Sequence, residues 1–279
     1  MSFLTEIDNL KILYKEILDG YSSVEGSSLL VKHLDEMENI EVARYKLGVF
    51  NKHIKDGIPS SEDRLKIAIE SGQWVQTKED KILELKYGIS DNEKNVKNII
   101  PQQQGPILRV IEKMKKELND LLWEKQNVLG DCADTFAERE SFNYLVFMSI
   151  YKSIDNRLFE SYDDFEDLDE ADVINYGQML EKALGKFSHK VIAQIACMPF
   201  FINPFSYVKE NIYYFLSKPM SKLSNYQSAL FSLGSRNLGV LNSTDKESPE
   251  ILDDTKLDDI QGWYDKEFSI LLGKRRSAK

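Results

Sequence analysis

The sequence predicts a mainly α protein, a multi-helix bundle with a short β-hairpin near residues 150–160. Three observations lead there. Apolar residues recur along much of the chain at the 3.6-residue period of a helix. Ser, Thr or Asp precedes several of these stretches and Gly follows them, as helix caps require. One tight turn, Ser153-Ile154-Asp155-Asn156-Arg157, carries residues that tolerate left-handed backbone and leads into Leu158-Phe159 as a short extended piece.

From the N-terminus, Leu4, Ile7, Leu10, Ile12, Leu13, Ile17 and Leu18 define a first helix that Gly20 can terminate. Ser27 to Ile54 carries Leu29, Leu30, Leu34, Met37, Val42, Leu47, Val49 and Phe50 and reads as one or two helices. Ser60 followed by Glu62 and Asp63 reads as an N-cap with an acidic first turn, opening a helix that ends near Gly72. Asn98 to Pro106 holds two prolines, a glycine and a polar run, and marks a subdomain boundary.

After it, Ile107, Ile111, Met114, Leu118, Leu121 and Val128 alternate spacings of four and three, a seam of three heptads interrupted by Lys125 and ending at Gly130. Such a seam packs on another helix, and Lys113, Lys115 and Lys116 form its solvated face. Thr135 and Glu138 have capping-box spacing, which predicts a helix with Phe142, Leu145, Val146, Met148 and Ile150 that hairpins back onto the heptad helix. Beyond the 150–160 turn, Val173, Tyr176, Met179, Leu180 and Leu184 form another helical face ending at Gly185.

The last third is aromatic, with Phe200, Phe201, Phe205, Tyr207, Tyr213, Tyr214 and Phe215. Pro199, Pro204 and Pro219 predict short helices there. Residues 242–256 read as a linker, Ile260, Trp263, Tyr264, Phe268, Leu271 and Leu272 as a docking helix, and Lys274 to Lys279 as a frayed basic tail. The expected organisation is an N-terminal helical region, 1–100, a central helical hairpin with an acidic segment, 107–187, and an aromatic helical region, 188–279.

Composition bounds the function. With 279 residues, 42% hydrophobic, and 14 Phe, 13 Tyr and 3 Trp, the chain can build a sizeable core. A net charge of −10 opposes binding to a phosphate backbone, so no nucleic-acid partner is expected. Cys132 and Cys197 form no CxxC pair and suggest neither zinc nor a disulfide framework. Met1 to Glu6 turns acidic at once and lacks a secretory leader pattern, so a cytoplasmic location is expected. Val191 to Val208 is uncharged but broken by Pro199, Asn203 and Pro204, which argues against a membrane span. With the basic tail, residues 191–216 leave a peripheral membrane role as a lesser reading.

Eight carboxylates fall between Glu160 and Asp172. No register among them supplies the glycine of a calcium-binding EF-hand loop, so helix starts and a solvated acidic docking patch account for the run better than a metal site does. His33, His53 and His189 form no HxxxH or HExxH pair. No GxSxG elbow, SxxK or phosphate-binding glycine loop occurs, and Gly105, Gly130, Gly234 and Gly239 read as punctuation. No catalytic residue, cofactor site or metal site is therefore expected. The rival is a divalent-metal hydrolase in which Asp163, Asp167 and His189 converge.

The stretch Asp155-Asn156-Arg157-Leu158-Phe159, followed by Ser161-Tyr162-Asp163-Asp164-Phe165 and a helix, resembles tail assembly chaperones of tailed bacteriophages. In those proteins a short turn and an Arg-Leu-Phe-like strand precede an acidic helix start. The resemblance covers about 35–45 residues around 150–187, and the long N-terminal region and aromatic C-terminal third depart from it. It implies a largely helical, non-enzymatic protein, bound to a tail tape-measure or other structural protein in the host cytoplasm. A virion tail or neck component is the close variant, and self-association remains open. The candidate partner-binding residues are Ile107, Ile111, Met114, Leu118 and Leu121 on the seam, Asp163, Asp164 and Asp167 in the acidic run, and Phe200, Phe201 and Phe205 in the aromatic third.

Overall fold

A computed structural model describes residues 3–96, 99, 101–208, 211–249 and 256–277. The chain runs α1 (Phe3–Asp19), β1 (Tyr21–Ser23), β2 (Leu30–Lys32), α2 (Glu36–Lys55), α3 (Ser61–Glu70), α4 (Gln76–Val96), α5 (Pro101–Leu129) and α6 (Ala133–Ser149). It continues with β3 (Ile150–Ser153), β4 (Asn156–Arg157), α7 (Tyr162–Glu166), α8 (Glu170–Leu184), α9 (His189–Cys197), α10 (Pro199–Tyr207) and α11 (Ile212–Leu216), and after a 3-10 turn at Met220–Lys222 ends with α12 (Asn225–Ser243) and α13 (Leu257–Ser277). It is a mainly α fold with one small antiparallel sheet.

Two compact units emerge, residues 1–44 with 142–279, and residues 45–141. This division differs from the three consecutive regions read from the sequence. The expected boundary at 98–106 falls between α4 and α5, which pack along each other inside one unit. Gln102 to Pro106 are helical, and Pro106 lies near the start of α5, where a missing N–H costs one intrahelical bond. Asn98 and Ile100 lie outside the described residues.

In the first unit α1 stops at Gly20, whose φ of +75° turns the chain into β1. The sheet order is β1-β2-β3-β4, with Ser22 opposite Val31, Val31 opposite Ile150, and Tyr151 opposite Arg157. The β3–β4 pair is the hairpin the turn residues predicted, and Asp155 supplies its left-handed position with φ of 61°. The first hairpin was not foreseen. Leu30, assigned to a helix by its apolar spacing, lies in β2, and α2 begins only at Glu36 and runs to Lys55 as one helix. There Asp35 and Glu38 cap reciprocally: Glu38 N–H donates to Asp35 Oδ1 at 2.9 Å, and Asp35 N–H to Glu38 Oε2 at 3.0 Å.

One core of this unit lies under the sheet, where Val31, Val146, Ile150, Phe165, Leu180 and Ala183 are buried. The other gathers α1, α9, α10, α12 and α13 around Ile17, Ile195, Met198, Phe201, Phe205 and Leu230. The expectation of short helices fails at α12, which is 19 residues long. All three prolines precede it, and Ser224 opens it with a capping box to Gln227. Gly234 is no punctuation mark either. A Cβ there would lie 2.7 Å from Phe201 Cζ, so the glycine lets α10 approach α12. Helix α13 packs on α12 and α9 as the docking helix anticipated, and it continues through Ser277 where a frayed tail was expected.

In the second unit α4 and α5 lie side by side, with Met114 of α5 over Gly88 of α4, where an added Cβ would collide with the methionine's Cε. Trp74 is fully buried with Ala68 and Ile82, and Leu118, Leu121 and Val128 pack against them. Lys125, the break in the heptad pattern, is explained by its neighbours. Its ammonium donates to Glu79 Oε2 at 2.8 Å, and Glu79 Oε1 accepts from Trp74 Nε1 at 2.8 Å. Ser60 caps α3 as its sequence suggests, accepting from Asp63 N–H at 3.1 Å. The Thr135–Glu138 box does not form. Helix α6 starts at Ala133, Thr135 Oγ1 accepts instead from Cys132 N–H at 2.9 Å, and Glu138 pairs with Lys46. The hairpin mate of α5 is thus α4, not α6.

Candidate functional site

The aromatic segment from α9 to the 3-10 turn sorts its rings by chemistry. Met198 ends α9 and begins α10, with Pro199 in the first turn where its fixed φ suits a helix. Phe201 and Phe205, one turn apart, stack at 5.1 Å and are both fully buried. Phe215 of α11 meets them edge-on at 5.8 and 5.1 Å, which fixes α11 against this core. Asn211 caps α11, its Oδ1 accepting from Tyr213 N–H at 3.0 Å, and Ser217 closes it in the left-handed conformation with φ of 55°.

With Phe215 anchored inward, its neighbours on α11 face solvent. Tyr213 and Tyr214 are 59% and 72% exposed, Tyr207 at the end of α10 is 85% exposed, and Met220 is 62% exposed. Large rings left in water cost hydration free energy with no return inside the fold. Tyrosine joins an apolar ring to a hydroxyl that hydrogen-bonds at an interface edge, the property that enriches it in protein contacts. The sequence placed Tyr207, Tyr213 and Tyr214 in the aromatic third but chose the phenylalanines as candidates. The usable signal lay between Met198 and Lys222 in the split of Phe201 and Phe205 inward from Tyr207, Tyr213 and Tyr214 outward.

The sequence-predicted residues fall in three places. Ile107, Ile111, Met114, Leu118 and Leu121 form the inner stripe of α5, facing α4 and the Trp74 cluster, so the seam is filled from within the unit. Phe201 and Phe205 are core, and Phe200 is half-buried, its ring 5.6 Å from Tyr14. Asp163, Asp164 and Asp167 are exposed. Asp164 closes a capping box with Ser161, whose hydroxyl and backbone N–H hold its carboxyl below the usual range, and Asp169 caps α8. The acidic run therefore starts two helices and leaves Asp163, Glu166 and Asp167 facing solvent.

The first unit also holds a buried Ser–His pair. Ser22 Oγ lies 2.8 Å from His33 Nε2, and the ring sits between Phe187 and Tyr226 at 4.9 and 5.1 Å. Burial pulls the imidazole pKa down to about 4, and Ser22 is inaccessible. A base so weak and so enclosed is poorly matched to proton abstraction at neutral pH, and the pair instead ties β1 to β2. Cys197 is likewise sealed, its thiol pushed up to about 12 by burial.

Among the described residues no group of three or more His, Cys, Asp or Glu is placed to hold a metal ion, so Asp163, Asp167 and His189 do not converge. Among them, too, no helix is long and apolar enough to cross a membrane; Val191–Val208 folds into α9 and α10, with Ile192 to Met198, Phe201, Ile202 and Phe205 buried. Comparisons with protein-family models, with curated proteins and with solved structures return no match.

Proposed function

We propose that this chain is a non-enzymatic protein-binding factor whose partner docks on the exposed Tyr207, Tyr213, Tyr214 and Met220. The carrying observation is the exposure of Tyr207, Tyr213, Tyr214 and Met220 beside Phe201 and Phe205, which are buried, and Phe215, which packs edge-on against them. Rings held on a fixed support lose little entropy on binding, which favours them as anchors. The exposed carboxylates of α7 add an acidic surface for a basic partner.

The particular process we propose is the building of a bacteriophage tail in the host cytoplasm, with a tape-measure or other structural protein as partner. The resemblance around Asp155 to Phe165 supports this reading, and the local structure is consistent with it, a tight hairpin followed by a capped acidic helix. A pull-down of the tagged chain from its native lysate, with the complex mass set by light scattering, tests the binding role. One stoichiometric protein is expected, and a monomer that captures nothing contradicts it. Mass spectrometry of purified particles then separates a chaperone that leaves from a tail or neck component that stays.

A further inference from the structure

Helix α2 is apolar on two faces. One is occupied: Val49 is buried, and the His53 ring stacks on Phe136 at 4.6 Å with its Nε2 3.1 Å from Glu140 Oε1. The other is bare. Ile40, Leu47 and Ile54 recur there every seven residues and are 38%, 59% and 39% exposed. Exposed Ala43 and half-buried Phe50 fill the intervening steps of three and four. Single exposed apolar residues are ordinary on a protein surface, whereas a heptad stripe along about 20 Å of one helix is the pattern of a helix-to-helix contact.

We propose that α2 pairs with α2 of a second copy of this chain as an antiparallel two-fold dimer. The stripe reads the same in both directions from Leu47, with an isoleucine seven residues away on each side. An antiparallel copy therefore sets Leu47 on Leu47 and Ile40 on Ile54, the self-match that a two-fold contact requires. The charges follow the same rule. The first half of α2 carries Glu36, Glu38 and Glu41, while the stretch from Arg44 to Lys55 carries Arg44, Lys46, Lys52 and Lys55 and no carboxylate. In the antiparallel pair Glu41 comes level with position 53 of the copy, between Lys52 and Lys55, which are exposed and in no ion pair among the described residues. A parallel copy would set like charges beside like. With a net charge of −10 on each chain, close approach of two copies needs this local matching of opposite signs.

The test is analytical ultracentrifugation of the full chain from micromolar to near-millimolar concentration. A monomer–dimer equilibrium is expected, with a dissociation constant on the order of 10–100 μM, as suits a contact below standard interface size, and weaker at high salt. Leu47→Glu sets two carboxylates together at the two-fold axis and should weaken the dimer at least about 10-fold. Its unfolding temperature should stay within a few degrees of the parent, because the side chain it replaces is exposed. Under mild oxidation Leu47→Cys should form a disulfide-linked dimer, and Ile40→Cys and Ile54→Cys should cross-link only when mixed. The native Cys132 and Cys197 are buried and do not compete. A chain that stays monomeric, which would leave the stripe to a different protein, overturns the assignment. So does a dimer that folded Leu47→Glu leaves intact, or Ile40→Cys that cross-links with itself ahead of the mixture.

Discussion

Burial keeps the His33 imidazole neutral far below the pH at which an exposed histidine gains its proton, and its stability effect has a definite sign. The pKa falls from 6.5 to about 4 mainly because the ring is desolvated; Lys186 also lowers it and Glu16 raises it. The unfolded chain therefore takes up a proton that the folded chain refuses, and stability is lost as pH drops from about 6.5 toward 4, by up to about 3 kcal/mol. Urea unfolding at pH 7 and pH 5 should show a smaller acid loss in His33→Gln than in the parent, other groups being shared. Glycines on α12 give an equally local contrast. Gly234→Ala should destabilise by about 1–3 kcal/mol because its Cβ meets Phe201 and Phe205 at 3.0 Å or less. Gly239→Ala should stabilise by up to about 1 kcal/mol, since its Cβ meets open space and alanine favours a helix.

Among the elements, α4 and α5 show how a broken pattern is mended. The Glu79–Lys125 pair is mostly buried, with side chains 16% and 22% exposed, and Glu79 also serves Trp74. Glu79→Leu strands an ammonium and an indole N–H, whereas Lys125→Leu restores the heptad and leaves the carboxylate one donor. Glu79→Leu should cost more than Lys125→Leu, and the double-mutant cycle should show coupling of about 1–2 kcal/mol in thermal unfolding. The same elements show what a sequence reveals. Helices with a stop, a cap or a steady period were legible: α1 with Gly20, α3 with Ser60, α8 along Val173 to Leu184 and the inner face of α5. Strands β1 and β2 were not, because three residues are too few to display alternation and Leu29, Leu30 and Leu34 imitate a helical face. The length of α12 was hidden because Gly234 reads as a breaker until Phe201 and Phe205 are seen against it.

At the scale of the whole molecule, apolar residues chosen by sequence as partner contacts are largely consumed in making the two units. The seam of α5 and the rings of Phe201 and Phe205 lie inward because both units need cores; no local pattern distinguishes a core stripe from a docking stripe. Among what the folding of the first unit leaves outside are the rings of Tyr207, Tyr213 and Tyr214, and the binding role proposed here depends on them. The direct measurement is capture of the partner from native lysate by the parent chain and by Tyr207→Ser/Tyr213→Ser/Tyr214→Ser, with unfolding temperatures recorded for both. The account predicts a stoichiometric protein on the parent that the triple variant loses while its unfolding temperature stays within a few degrees. A parent that captures nothing, or a folded triple variant that captures the same protein equally well, would contradict it.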